Sequence, residues 1–174
     1  MMEFLYRVRN GIKNYVGEFA CGWDRFWFDP ADPATFCLIR ICAGGMLLYT
    51  HLVWSFDLAG FIGPRGRISS EFARAFADPE GGGGHFAWSY LHGVESPGLL
   101  WTLHIIAVVV MLLLTVGLFS RTVSVLAFLI TISYVHRTPG AQFGLDQINT
   151  ILALYLLVGP CGACYSVDRW LKNR

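Results

Sequence analysis

Leu99-Leu-Trp-Thr-Leu-His-Ile-Ile-Ala-Val-Val-Val-Met-Leu-Leu-Leu-Thr-Val-Gly-Leu-Phe119 carries a single ionisable side chain, His104. A helix needs about 20 residues to cross a hydrocarbon core of roughly 30 Å, and this run supplies them. Three more apolar runs share the chain: Ala34–Trp54, Thr122–His136 and Ile148–Tyr165. Ala34–Trp54 fits the same window, Ile148–Tyr165 just fits it, and Thr122–His136 is short. Four such runs cannot all be hidden inside one soluble core of 174 residues. The expectation is an all-α integral membrane protein. It is an antiparallel bundle of about four transmembrane helices, preceded by an N-terminal interfacial amphipathic helix.

Composition agrees. Apolar residues make up 55% of the chain, charged residues 14%, and the mean hydropathy is +0.50; soluble chains average about 25% charged. A net charge of +1 gives no sign of nucleic acid as a partner; the partner implied is the lipid bilayer. With four spans both termini share a side. Arg7, Arg9, Lys13, Arg25, Arg121, Arg169, Lys172 and Arg174 then face Arg65, Arg67, Arg74 and Arg137 across the membrane. Basic residues stay preferentially on the cytoplasmic side, so both ends are expected in the cytoplasm. The basic N-terminus lacks the uninterrupted apolar core and small-residue cleavage site of a signal peptide. Residues 1–32 instead mix aromatic and charged side chains, as suits a helix in the headgroup plane or one against a cytoplasmic partner. Residues 33–170 form the membrane domain and 171–174 a cytoplasmic tail.

Between the first two runs, Ser55–Gly98 is the largest polar segment. It holds a Gly-Pro-Arg-Gly turn at residues 63–66, a short helix opening at Ser69-Ser70-Glu71, and four consecutive glycines at 81–84. The second and third runs are joined by Ser120-Arg121 alone, which makes them a tight antiparallel pair. Pro160 kinks or loosens the end of the fourth.

Few residues in the runs can carry chemistry. Arg40 is costly inside a bilayer, at about 2.5–3.5 kcal/mol on insertion scales. It either snorkels to the interface, pairs with Asp32 or Asp168, or contacts an anionic ligand. His51, His104 and His136 fall near span ends on the external side, at a depth shared with Asp146. They relay protons, bind a ligand, or simply hydrogen-bond water and headgroups. No two histidines stand four apart on a helix, so no metal site is expected. Asp146, with His136 and Arg137 near it, is the leading external-side site candidate, besides its duty as a helix N-terminal acid. Cys161-Gly-Ala-Cys164 has the spacing of redox pairs, but packing explains it better. Gly159 and Ala163 have the small-residue spacing of close helix contacts.

Three pieces taken together resemble one family: Phe36-Cys-Leu-Ile-Arg40-Ile with its following glycines; Leu114-Thr-Val-Gly-Leu-Phe-Ser-Arg121 leading to Tyr134-Val-His-Arg137; and Gly144-Leu-Asp-Gln through Tyr165-Ser-Val-Asp168. In this order they look like the first part of the HTTM domain, the membrane domain shared with vitamin K-dependent gamma-carboxylases. The Gly-Leu-Phe-Ser-Arg turn is also similar to one in DoxX-like membrane proteins. The resemblance implies reduced vitamin K or a quinone as cofactor, and a bacterial inner membrane as the setting. It also implies a partner, either a membrane subunit or a missing C-terminal half. The family's catalytic lysine lies in a further membrane segment. The lysines here, Lys13 and Lys172, do not match its motif, and Gly162-Ala-Cys164 stands where the eukaryotic enzymes have a histidine. Carboxylase catalysis is therefore not expected of this form. The alternative expectation is a DoxX-like accessory subunit of an oxidoreductase or quinone-linked system.

Overall fold

Residues 11, 14–25, 32–77 and 88–174 are described in a computed structural model of the chain. Arg7, Arg9, Lys13, the aromatic residues Phe26–Phe28 and the glycines 81–84 lie outside them. Among the described residues every regular element is helical. The chain divides into two units, Met1–Asp32 and Pro33–Arg174. In the first, residues 14–25 are helical. Phe19 and Trp23, one turn apart, stack at 6.2 Å and stay exposed together with Tyr15.

The second unit runs α1 (Pro33–Ser55), α2 (Leu58–Ile62), α3 (Ser70–Ala77), a 3-10 turn (Tyr90–Gly93), α4 (Pro97–Val116), α5 (Ser120–Arg137), α6 (Gly144–Val158) and α7 (Val167–Lys172). Pro33 and Pro97 open their helices at the position where a missing amide hydrogen costs nothing. α1 packs on α4, α4 on α5, α5 on α6, and α6 returns to α1. Four long helices thus close into a bundle. α1 comes nearest α4 at Gly44, where a Cβ would stand 3.0 Å from the Thr115 Cα. At that point only a hydrogen fits between the helices.

Local signals explain the boundaries. α4 stops at Gly117, whose φ of 77° is the left-handed conformation that ends helices. Phe119 follows at φ 50°, and α5 starts at once. α3 begins where the Ser69 hydroxyl accepts the Phe72 amide at 3.1 Å, a side-chain cap. Two runs differ from their expected limits. The third is longer than Thr122–His136, because the cap supplied by Asp168, described below, lets the helix begin at Ser120. The fourth is not Ile148–Tyr165: α6 covers Gly144–Val158. It starts earlier because the Asp146 carboxylate accepts the Phe143 amide at 2.8 Å and organises the first turn. It ends earlier because Pro160 forces Gly159 into extended backbone, with ψ 165°. At 1.5 Å per residue α6 is only about 22 Å long.

Among the described residues two helices, α1 and α4, are long and apolar enough to cross a membrane. α6 is apolar but shorter, and α5 carries more polar residues. The core is apolar, with Leu47, Leu100, Met111, Leu114 and Leu156 fully buried, but the surface is apolar as well and polar groups sit among the core residues. Leu38, Met46, Leu52, Ile105, Ile106, Val109, Leu112, Leu126, Ile151 and Leu154 are exposed, while Arg40, His51, His104, Ser124, Thr131, Ser133, Arg137 and Asn149 are buried. In water such contiguous apolar faces are a liability. In lipid they cost nothing, and polar side chains belong inside.

Candidate functional site

One end of the bundle gathers a ring cluster on α1, α4 and α5. The His104 Nδ1 lies 2.7 Å from the Tyr134 hydroxyl, and its Nε2 lies 2.9 Å from the Ser55 hydroxyl and 3.1 Å from the His51 carbonyl. Ser55 donates its own hydrogen to that carbonyl at 3.0 Å. A carbonyl only accepts, so His104 Nε2 carries the proton and Nδ1 accepts from Tyr134. His51 has the opposite tautomer, since its Nδ1 donates to the Leu47 carbonyl at 2.8 Å. The His51 and His104 rings stack at 6.2 Å, and the Tyr134 ring meets His51 edge-on at 4.9 Å. His51 Nε2 is left as a buried lone pair without a partner.

That lone pair belongs to the lining of a cavity between α1, α5 and α6. The walls include Thr50, His51, Trp54, Thr131, Tyr134, Thr138, Asp146 and Asn149, with about 30 Å³ open to the centre of a water-sized molecule. Asn149 Oδ1 is a second buried acceptor with no partner. Asn149 is 2% exposed and His51 3%. Among the described residues no three His, Cys, Asp or Glu side chains gather as metal ligands do.

The opposite end is a knot of backbone caps. The Arg40 guanidinium, fully buried, donates to the Cys161 carbonyl at 2.8 Å and the Tyr165 carbonyl at 2.6 Å. These carbonyls belong to the non-helical stretch after Pro160, which offers them no helical partner. Asp168 accepts from the Phe119 amide, the Ser120 amide and the Ser120 hydroxyl at 2.8, 2.8 and 2.9 Å. It caps α5 from 48 residues away. Burial works to raise the Asp168 carboxyl, but the Ser120 and Phe119 hydrogen bonds and the charge of Arg40 outweigh it and hold it below its ordinary value. Gly117 lies against Arg40, where any Cβ would strike the guanidinium. Arg40, Gly117–Ser120 and Tyr165–Asp168, far apart in sequence, therefore meet here.

The remaining expected site residues scatter. His136 Nδ1 lies 2.9 Å from the Trp88 carbonyl. Arg137 turns toward the first loop, donating to the Ile62 carbonyl at 2.9 Å and the Ser70 hydroxyl at 3.3 Å. Asp146 stays with its own helix start and the cavity, so His136, Arg137 and Asp146 do not converge. Cys161 and Cys164 carry free thiols; the Cys164 amide donates to Cys37 Sγ at 3.1 Å. Tyr134, Ser55 and Asn149 join the site unannounced by spacing. Asn149 alone had a signal, being a polar amide one turn after Asp146 on the same face of an apolar helix. No family model, curated protein or solved structure matches the chain.

Proposed function

We propose that this chain is a multi-pass integral membrane protein built like the first half of an HTTM domain. All four long helices cross the bilayer, with both termini cytoplasmic. Its chemistry belongs at the end where His51, His104 and Tyr134 meet, within an assembly that includes a partner subunit or further membrane segments. The carrying observation is the apolar exterior: large apolar side chains are exposed on every long helix, while histidine, arginine, asparagine and hydroxyl groups lie buried among the apolar core residues. Such interior polar groups in membrane bundles mark ligand and proton paths. The reading assigns no carboxylase-type catalysis to the residues given, since neither Lys13 nor Lys172 lies in one of the four runs; a lysine for that chemistry would come from the rest of the assembly.

A second reading, a DoxX-like subunit of a quinone-linked system, draws on the same cluster, because a quinone's chemistry needs proton-exchanging groups in an apolar setting.

Alkaline carbonate extraction of expressing membranes, with accessibility mapping of cysteines placed in the loops, tests the first reading. The expected result is retention in the pellet, with the 137–147 loop reached from outside and the 120–121 turn from the cytoplasm. Release into the supernatant would overturn it.

A further inference from the structure

The cavity between α1, α5 and α6 has mostly apolar walls, Leu47 and Val135 among them, in which a few polar atoms stand unpaired. His51 Nε2 and Asn149 Oδ1 are buried acceptors with nothing to accept. Every hydroxyl in its wall has spent its hydrogen elsewhere. Thr50 donates to the Met46 carbonyl, Thr131 to that of Ala127, and Thr138 to that of Tyr134, at 3.0, 2.7 and 3.0 Å. The Tyr134 hydroxyl is committed to His104 Nδ1. Asp146 adds a carboxylate, and Arg137, the nearest cation in sequence, is turned away to Ile62 and Ser70. Trp54 and Tyr134 bring aromatic rings to the same wall.

Unpaired buried acceptors cost about 1–3 kcal/mol each, so the arrangement calls for a guest that supplies hydrogens. Several features narrow the guest. The room is about 30 Å³, which suits one water-sized body. Aromatic rings and a carboxylate favour positive charge. A bare imidazole nitrogen favours an N–H donor over alkali or alkaline-earth ions, which prefer oxygen. Transition metals find a single available ring nitrogen here, since both nitrogens of His104 are engaged.

We propose that this cavity binds an ammonium-type cation, either the free ammonium ion or the –NH₃⁺ head of a primary amine. Its N–H groups meet His51 Nε2 and Asn149 Oδ1, Asp146 balances the charge, and Trp54 and Tyr134 flank it. The proposal rests on the crevice being the interior of a membrane bundle, and gives that interior a ligand class.

The test uses the full chain in detergent micelles, with thermal unfolding followed at fixed ionic strength in ammonium, ethylammonium, sodium, potassium or choline chloride. A saturable rise in Tm with ammonium, absent with sodium, potassium and choline, is expected. A rise with ammonium alone assigns the free ion, and one with ethylammonium as well assigns the amine head. Asn149→Leu and His51→Phe should each abolish the rise. Should either variant fail to fold, ¹⁵N-ammonium line broadening by the unsubstituted protein serves instead. An equal response to all five salts, or no response and no broadening, would show that the cavity holds only water and overturn the proposal. Carbonate extraction is independent of this readout, so a protein retained in membranes yet indifferent to ammonium rejects the cation site alone.

Discussion

Arg40 and Asp168 do related work with opposite charges. Each reaches across the sequence to satisfy backbone groups that local structure leaves open: carbonyls after the break at Pro160 for Arg40, amides at the start of α5 for Asp168. Arg40→Leu orphans two carbonyls in a tight setting. It should lower stability by about 1.5–3 kcal/mol, the range for hydrogen bonds to charged groups, while insertion proceeds normally. Thermal unfolding in micelles alongside membrane yield checks both halves. For Asp168 the sign follows from its depressed folded pKa. The ionised form favours folding, so its contribution is complete above the ordinary carboxylate value of about 3.9 and disappears as pH falls through the lower folded value. Asp168→Asn should therefore reduce Tm at neutral pH, with the gap to the unsubstituted protein closing on acidification below about pH 4. A gap that persists unchanged in acid would mean the carboxylate's charge is irrelevant to the cap.

At the scale of elements, close approach and termination decide the architecture. Gly44 and Gly45 are neighbours on α1, yet only Gly44 faces Thr115; Gly45 has nothing within 4 Å of where a Cβ would stand. Gly44→Leu should push α1 from α4 and cost about 1–3 kcal/mol, as overpacking does. Gly45→Leu should be near neutral in the same unfolding assay. The contrast could not be read from the sequence, where the two glycines are equivalent, because it depends on how α1 is rotated about its axis. Helix interiors were legible, since long apolar runs have few alternatives. Ends were less so. Asp146 is legible as a helix N-terminal acid, but hydropathy alone starts the fourth run at Ile148 and carries it past Pro160, where the backbone cannot continue. For the site, His51 and His104 stood out as polar residues in apolar surroundings. Tyr134 and Ser55 did not, because their role comes from helix packing that brings α1, α4 and α5 to one depth.

At the scale of the molecule, the apolar exterior of the long helices makes thiol chemistry a direct probe. Cys42 is exposed on α1 among apolar neighbours, whereas Cys37 and Cys161 are buried. In membranes, a lipid-soluble maleimide should modify Cys42 and spare Cys37 and Cys161, while a charged maleimide should leave all three untouched until denaturant is added. Mass spectrometry of the labelled peptides distinguishes these patterns, and rapid modification of Cys42 by the charged reagent would place α1 in water. The Arg40–Asp168 knot has a temporal consequence as well. A ribosome synthesises residues 117–120 well before residues 161–168. During that interval the turn between the two central helices lacks its carboxylate, and the guanidinium lacks its carbonyls. Until the stretch after Pro160 has been made, both ends of this clasp stay open, so a segment distant in sequence fastens the central hairpin.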